Sequence, residues 1–210
     1  MRLDTAKDEF AKERGADNVL IKVSYHPFMI DPATKAEGEP YMEYNRRRWG
    51  SDGWTRSMKA MGKKEGAPYA KWVTWPNTTH CSRLLMLAEK HGLGDKVVGI
   101  LYRYCYEEGL NVSLREVVAR AAVEAGVPDG EAYIHSDRGL LELSQLLRRN
   151  ASGIGGGKRI SSAPTFNVRV GRASTSFSGA QDAETWLSIL EQCADVALSQ
   201  VPTNRPPPIS

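Results

Sequence analysis

Cysteine is scarce in this chain: three in 210 residues, an odd number set far apart. That excludes a disulfide framework and suits reduced thiols. No Cys-x-x-Cys pair occurs, and no Cys/His spacing suggests a zinc site. No run of about 18 apolar residues exists, so no membrane span is expected. Charge of one sign is lacking too. A net charge of +3 gives no reason to invoke nucleic acid or an anionic membrane. The opening residues Met1-Arg2-Leu3-Asp4 contain no apolar centre, so a signal peptide is not expected and a cytoplasmic setting is. What remains is an ordinary globular composition with room for one large domain, or for a domain carrying an insertion.

Along that chain, residues 2–14 read as a helix with Leu3, Ala6 and Phe10 on one face, closed by Gly15. Residues 19–25 alternate as a strand does, and Pro27 ends them. Tyr41 to Trp49 reads as a helix; its Arg46-Arg47-Arg48 triplet is a solvated face rather than a phosphate contact. Residues 50–76 show no clear period and read as a mobile helical or loop segment, with Trp72 and Trp75 packed against the protein body. Beyond Asn77 four helices follow. The first carries Cys81, Leu84, Leu85 and Ala88 inward, and the second Val97, Ile100, Leu101, Tyr104 and Cys105. The third opens with a capping box, Ser113-Leu114-Arg115-Glu116. The fourth runs from Asp137 to Ala151, with Leu140, Leu141, Leu143, Leu146 and Leu147 as its stripe.

The glycine-rich run Gly153 to Lys158 misses the phosphate-loop spacing, with Ser152 and Arg159 at the positions that matter. It reads as a flexible connection. Then comes Ser162-Ala163-Pro164-Thr165-Phe166, a proline at the head of an alternating run. Such a proline either sits on an edge strand or follows a cis bond. A turn at Gly171, a second strand-like run, Gly179-Ala180-Gln181 and an amphipathic helix from Asp182 to about Ser199 complete the ordered part. The proline-rich tail 201–210 is expected to be disordered.

Helix, strand, helical block, then a Pro-led hairpin and helix is the layout of a thioredoxin-like fold with an all-helical insertion. The divisions fall at 1–33, 34–152 and 153–200. The chain resembles the DsbA-like thioredoxin family, in particular its intracellular FrnE-like branch. The resemblance is carried by His26-Pro27-Phe28-Met29-Ile30-Asp31-Pro32, by Glu37-Gly38, and by Glu43-Tyr44 running to Trp49-Gly50. It continues through Asn77-Thr78, Arg83-Leu84-Leu85, the stretch Leu101 to Gly109, Ala163-Pro164-Thr165-Phe166 and Ser178-Gly179-Ala180-Gln181.

The resemblance implies thiol–disulfide exchange, in which a thiolate at a helix N-terminus attacks a disulfide. It also implies that the helix at residues 2–14 is the one following the Cys-x-x-Cys loop. The expected α/β fold thus lacks its first strand and active-site loop, an N-terminally truncated domain without a nucleophile. Pro164 becomes a cis-proline candidate, and Ala163 the residue whose backbone contacts substrate. Among the thiols only Cys81, in the first turn after Asn77-Thr78, is a weak candidate nucleophile; Cys105 and Cys193 read as buried thiols. His80 beside Cys81 does not make a dyad, because helix neighbours point about 100° apart. No cofactor or metal is implied. The implied partner is a disulfide-containing protein or a small thiol such as glutathione, with homo-oligomers possible through an exposed sheet edge. Two other readings stay open. One is a non-catalytic thioredoxin-like binding module. The other is a relative of kappa-class glutathione transferases and chromene-carboxylate isomerases.

Overall fold

The computed structural model describes residues 2–15, 20–152 and 160–199. The glycine-rich connection, the tail and Val19 lie outside the described residues. The chain divides into two units, one of Met1–Lys22 with Ser161–Ser210, the other of Val23–Ile160.

The first unit begins with helix α1, Arg2–Arg14, the span expected from its apolar face. Strands β3 (Thr165–Val170) and β4 (Ala173–Ser178) pair antiparallel, from Thr165 opposite Ser178 to Val170 opposite Ala173. Helix α9, Ala183–Ser199, follows. Its entry is fixed by Asp182, whose carboxylate accepts the Thr185 N–H at 2.8 Å. The small core buries Ala6, Phe10, Trp186 and Leu190. Phe166 and Phe177 meet Trp186 at ring-centroid distances of 4.7 and 5.4 Å, within the favourable range for aromatic pairs. β4 is almost wholly exposed, which suits its run of serine and threonine.

The strand expected at 19–25 is not formed over residues 20–25. Those residues still alternate between exposed and half-buried, as the sequence pattern implies. A strand also needs a hydrogen-bonded neighbour, and none pairs with this stretch among the described residues.

The second unit is helical. Its two-residue strands β1 (Glu39–Pro40) and β2 (Thr74–Trp75) pair antiparallel. Helix α2, Tyr41–Trp49, follows β1 directly and ends at Gly50, whose φ is +71°. The region 50–76 is more ordered than its composition predicts. It holds helix α3, Gly53–Lys64, and then β2. Trp72 explains the order: it is buried and meets Tyr41 at 4.3 Å and Tyr106 at 5.1 Å.

Helices α4 (Thr79–Lys90), α5 (Gly94–Tyr102) and α6 (Arg115–Ala125) build the main core. α5 runs on as a π-helical stretch, Arg103–Glu108, that ends at Gly109. All five inward residues expected on this helix are buried. The capping box is not formed. Ser113 Oγ instead accepts the Asn77 N–H at 2.9 Å, tying the entry of α6 to that of α4. A short helix α7, Gly130–His135, was not anticipated. Helix α8, Leu140–Ser152, starts later than expected, and Leu141 points to solvent while Asn150 is buried. Asn150 Nδ2 donates to the Pro27 carbonyl at 2.8 Å, so a polar residue closes the inner side of α8.

Candidate functional site

The proline-led corner comes first. The Ala163–Pro164 peptide bond is cis. Ser162, Ala163 and Pro164 are exposed at the head of β3. The Pro164 carbonyl accepts the Gly179 N–H at 2.9 Å. Thr165 Oγ1 donates to the Ser162 carbonyl at 2.8 Å and lies 2.9 Å from Ser178 Oγ. Gln181 Nε2 reaches the Gly179 carbonyl at 3.0 Å. The stretch on either side of Ala163 is therefore held, while the N–H and C=O of Ala163 itself have no partner among the described residues. β3 also has no strand on its second edge among the described residues. A fixed corner with unpaired backbone groups and an open strand edge can take up an extended peptide.

The three thiols are a different matter. All are unpaired. Cys81 stands in the first turn of α4, where free N–H groups favour a thiolate. Burial wins against that, with Cys105 nearby adding to it, and the thiol is pushed up to about 12. The residue keeps some surface, but its sulfur is packed against the helical core and donates to the Val112 carbonyl at 3.2 Å. Burial pushes Cys105 up to about 12 as well, and raises Cys193. All three are protonated thiols near neutral pH, unsuited to nucleophilic attack.

His80 does not assist Cys81. Its Nδ1 lies 3.0 Å from Nη1 of Arg83, and a guanidinium only donates, so Nδ1 accepts and the proton sits on Nε2. Burial, followed by the charges of Arg115 and Arg83, lowers the His80 pKa.

Sequence reasoning missed Arg83, a residue with no exposed surface. Its guanidinium donates to the carbonyls of Tyr133 (2.8 Å), Ile134 (3.3 Å), Ser136 (2.6 Å) and Arg138 (2.7 Å). Arg115 adds bonds to Ile134, His135 and Ser136 and an ion pair with Asp137 at 2.8 Å. Two guanidinium groups thus gather the unpaired carbonyls at the C-terminal end of α7. Its signals in the sequence are a place beside the apolar stripe of this helix, directly before Leu84-Leu85, and membership of the Arg83-Leu84-Leu85 stretch that carries the family resemblance.

Among the described residues no three His, Cys, Asp or Glu side chains gather to hold a metal ion, and no helix is long and apolar enough to cross a membrane. Nor do Arg46, Arg47 and Arg48 act together. Arg47 binds Glu39 through two nitrogens at 2.7–3.2 Å, and Arg48 stacks on Trp49 at 4.3 Å.

The DSBA-like thioredoxin domain family matches the chain over residues 5–191. Among solved structures, the chain is similar to a probable DsbA oxidoreductase from Streptomyces coelicolor, with a TM-score of 0.67 at 20% identity. That match covers 100% of this chain and 88% of the other. No curated protein matches it. A likeness at that identity shows a common thioredoxin-like fold, whereas the family match extends along most of the sequence: the chain belongs to the DSBA-like thioredoxin domain family.

Proposed function

We propose that this chain is a thiol–disulfide oxidoreductase-type domain that binds its sulfur-bearing partner without attacking it. The observation that carries this is the corner at Ala163–Thr165, where unpaired backbone groups head an open strand edge. An extended segment of a disulfide-containing protein, or the peptide backbone of a small thiol such as glutathione, would pair there. Backbone pairing at a strand edge supplies affinity with little demand on side-chain sequence. The reading concerns these 210 residues alone, which contain no Cys-x-x-Cys pair. The stretches His26 to Pro32 and Leu101 to Gly109 favour the FrnE-like branch, and three unpaired thiols suit a reducing, intracellular compartment.

Two measurements on the 210-residue chain test the proposal. In insulin-disulfide reduction with dithiothreitol, the chain is expected to add nothing to the rate with reductant alone. Acceleration abolished by Cys81→Ala would make Cys81 the nucleophile and overturn the silent reading. In amide NMR, an extended disulfide-containing peptide is expected to shift Ala163 and alternate residues of β3. Shifts confined to other elements would remove the corner as the binding site.

A further inference from the structure

A second candidate lies in the helical unit and owes nothing to the proline corner. The segment Ser24–Pro27 and helices α4 and α8 line an open cleft of about 340 Å³. Its floor is apolar, formed by Pro27, Met86 and Leu146. Its charges are arranged by helical geometry. On α8, Glu142, Leu146 and Arg149 recur at i, i+4 and i+7, so they form one wall. The carboxylate and the guanidinium stand two turns apart, roughly 10 Å along the helix axis. Glu89, on α4, also lines the cleft and is fixed by the Tyr25 N–H, which its Oε1 accepts at 3.0 Å. Among the described residues Glu142 is held only by Lys90, at 3.6 Å on the surface. Arg149 and His26 have no hydrogen-bond or ion-pair partner among the described residues.

We propose that this cleft binds a short peptide with both ends free, about three residues long, its amino end at Glu142 and its carboxylate at Arg149. The length follows from the spacing, since three extended residues span roughly 10 Å. The cleft volume falls at the lower end of small-ligand sites, about 300–1,000 Å³. The charge pattern selects against the alternatives. Two glutamates disfavour a polyanion such as a nucleotide, while Arg149 disfavours a polyamine. The apolar floor takes a central side chain such as leucine, and a planar guanidinium suits a terminal carboxylate.

The experiment is isothermal titration of the 210-residue chain with the tripeptide Ala-Leu-Ala, its N-acetyl form and its C-terminal amide. The free tripeptide is expected to bind, and each blocked form to bind about tenfold more weakly or worse. Arg149→Met is expected to erase the penalty for amidation while keeping that for acetylation. Glu142→Gln is expected to do the reverse. Both side chains are exposed, so neither change should unfold the protein, and far-UV circular dichroism checks this. Glu89 is left intact because it also holds Tyr25. Absence of binding at millimolar peptide overturns the proposal, as does equal binding of the blocked forms. So does a loss in Arg149→Met that falls equally on all three ligands. Insulin reduction and the shifts at Ala163 are read separately, so failure here leaves the proline-corner reading standing.

Discussion

Arg83 brings its charge into the core with no ion-pair partner among the described residues, and is satisfied by carbonyl oxygens and by His80 Nδ1. Unpaired buried carbonyls cost about 1–3 kcal/mol each. Ser136 Oγ and Arg115 still pair the Tyr133, Ile134 and Ser136 carbonyls when Arg83 is gone, so Arg83→Met, which strips the Arg138 carbonyl of its donor, should destabilise the protein by on the order of 1–3 kcal/mol. Arg83→Lys should recover only part of that loss, because an ammonium cannot fork across four oxygens. Urea unfolding of both variants measures the difference. His80 adds a pH dependence. Its pKa is lowered in the folded state relative to about 6.5 when unfolded. The unfolded chain therefore binds the proton more readily, and the stabilisation present above pH 6.5 drains away as pH falls through the folded pKa. Asp137 and Glu116 oppose that shift, while Arg115 and Arg83 reinforce it. Replacing His80 with Gln, which can still accept from Arg83, should flatten this part of the stability profile between pH 7 and pH 5. An unchanged profile would show that His80 is not its source.

At the scale of elements, α1 lies where its apolar spacing and closing Gly15 put it, because both signals are local. The inward stripe of α5 through Tyr104 and Cys105 was legible for the same reason, though the widened turn that carries those two residues was not. What escaped depends on residues distant in the chain. Residues 20–25 carry a strand's alternation, yet pairing is decided elsewhere. Ser113 has a capping pattern around it, yet its hydroxyl is taken by the N–H of Asn77, 36 positions away. Of the candidate site, a proline opening an alternating run left an edge strand or a cis bond at Pro164, while Ala163 as the contact residue came only with the resemblance to the DsbA-like family. The unsuitability of Cys81 was only half legible, since burial of its sulfur depends on Val112 and on the helix carrying Cys105. Two glycines make the helix ends testable. Gly109 and Gly126 have φ of +75° and +74°, but a Cβ at Gly109 would stand 2.9 Å from the Lys71 carbonyl, whereas at Gly126 it would meet open space. Gly126→Ala should cost roughly 1–2 kcal/mol for the left-handed conformation. Gly109→Ala should cost clearly more, and chemical denaturation of the pair decides it.

Taken whole, the molecule has two separate cores of unequal size. Among the described residues the larger joins α2, α4, α5, α6 and α7, while the smaller rests on Ala6, Phe10, Trp186 and Leu190. Local stability follows buried apolar contact. Hydrogen exchange should therefore find the slowest amides in α4 to α6 and faster exchange throughout α1, β3, β4 and α9. Equal protection in both units would mean that they open together. The unpaired thiols also make the protein its own stopwatch. Cys81 and Cys105 lie in the larger core, and Cys193 lies on α9 in the other unit. A thiol-blocking reagent would mark Cys193 each time the smaller unit opens and the other two each time the larger one does. The breathing of each unit can then be timed in the unaltered chain by the order in which its sulfurs are tagged.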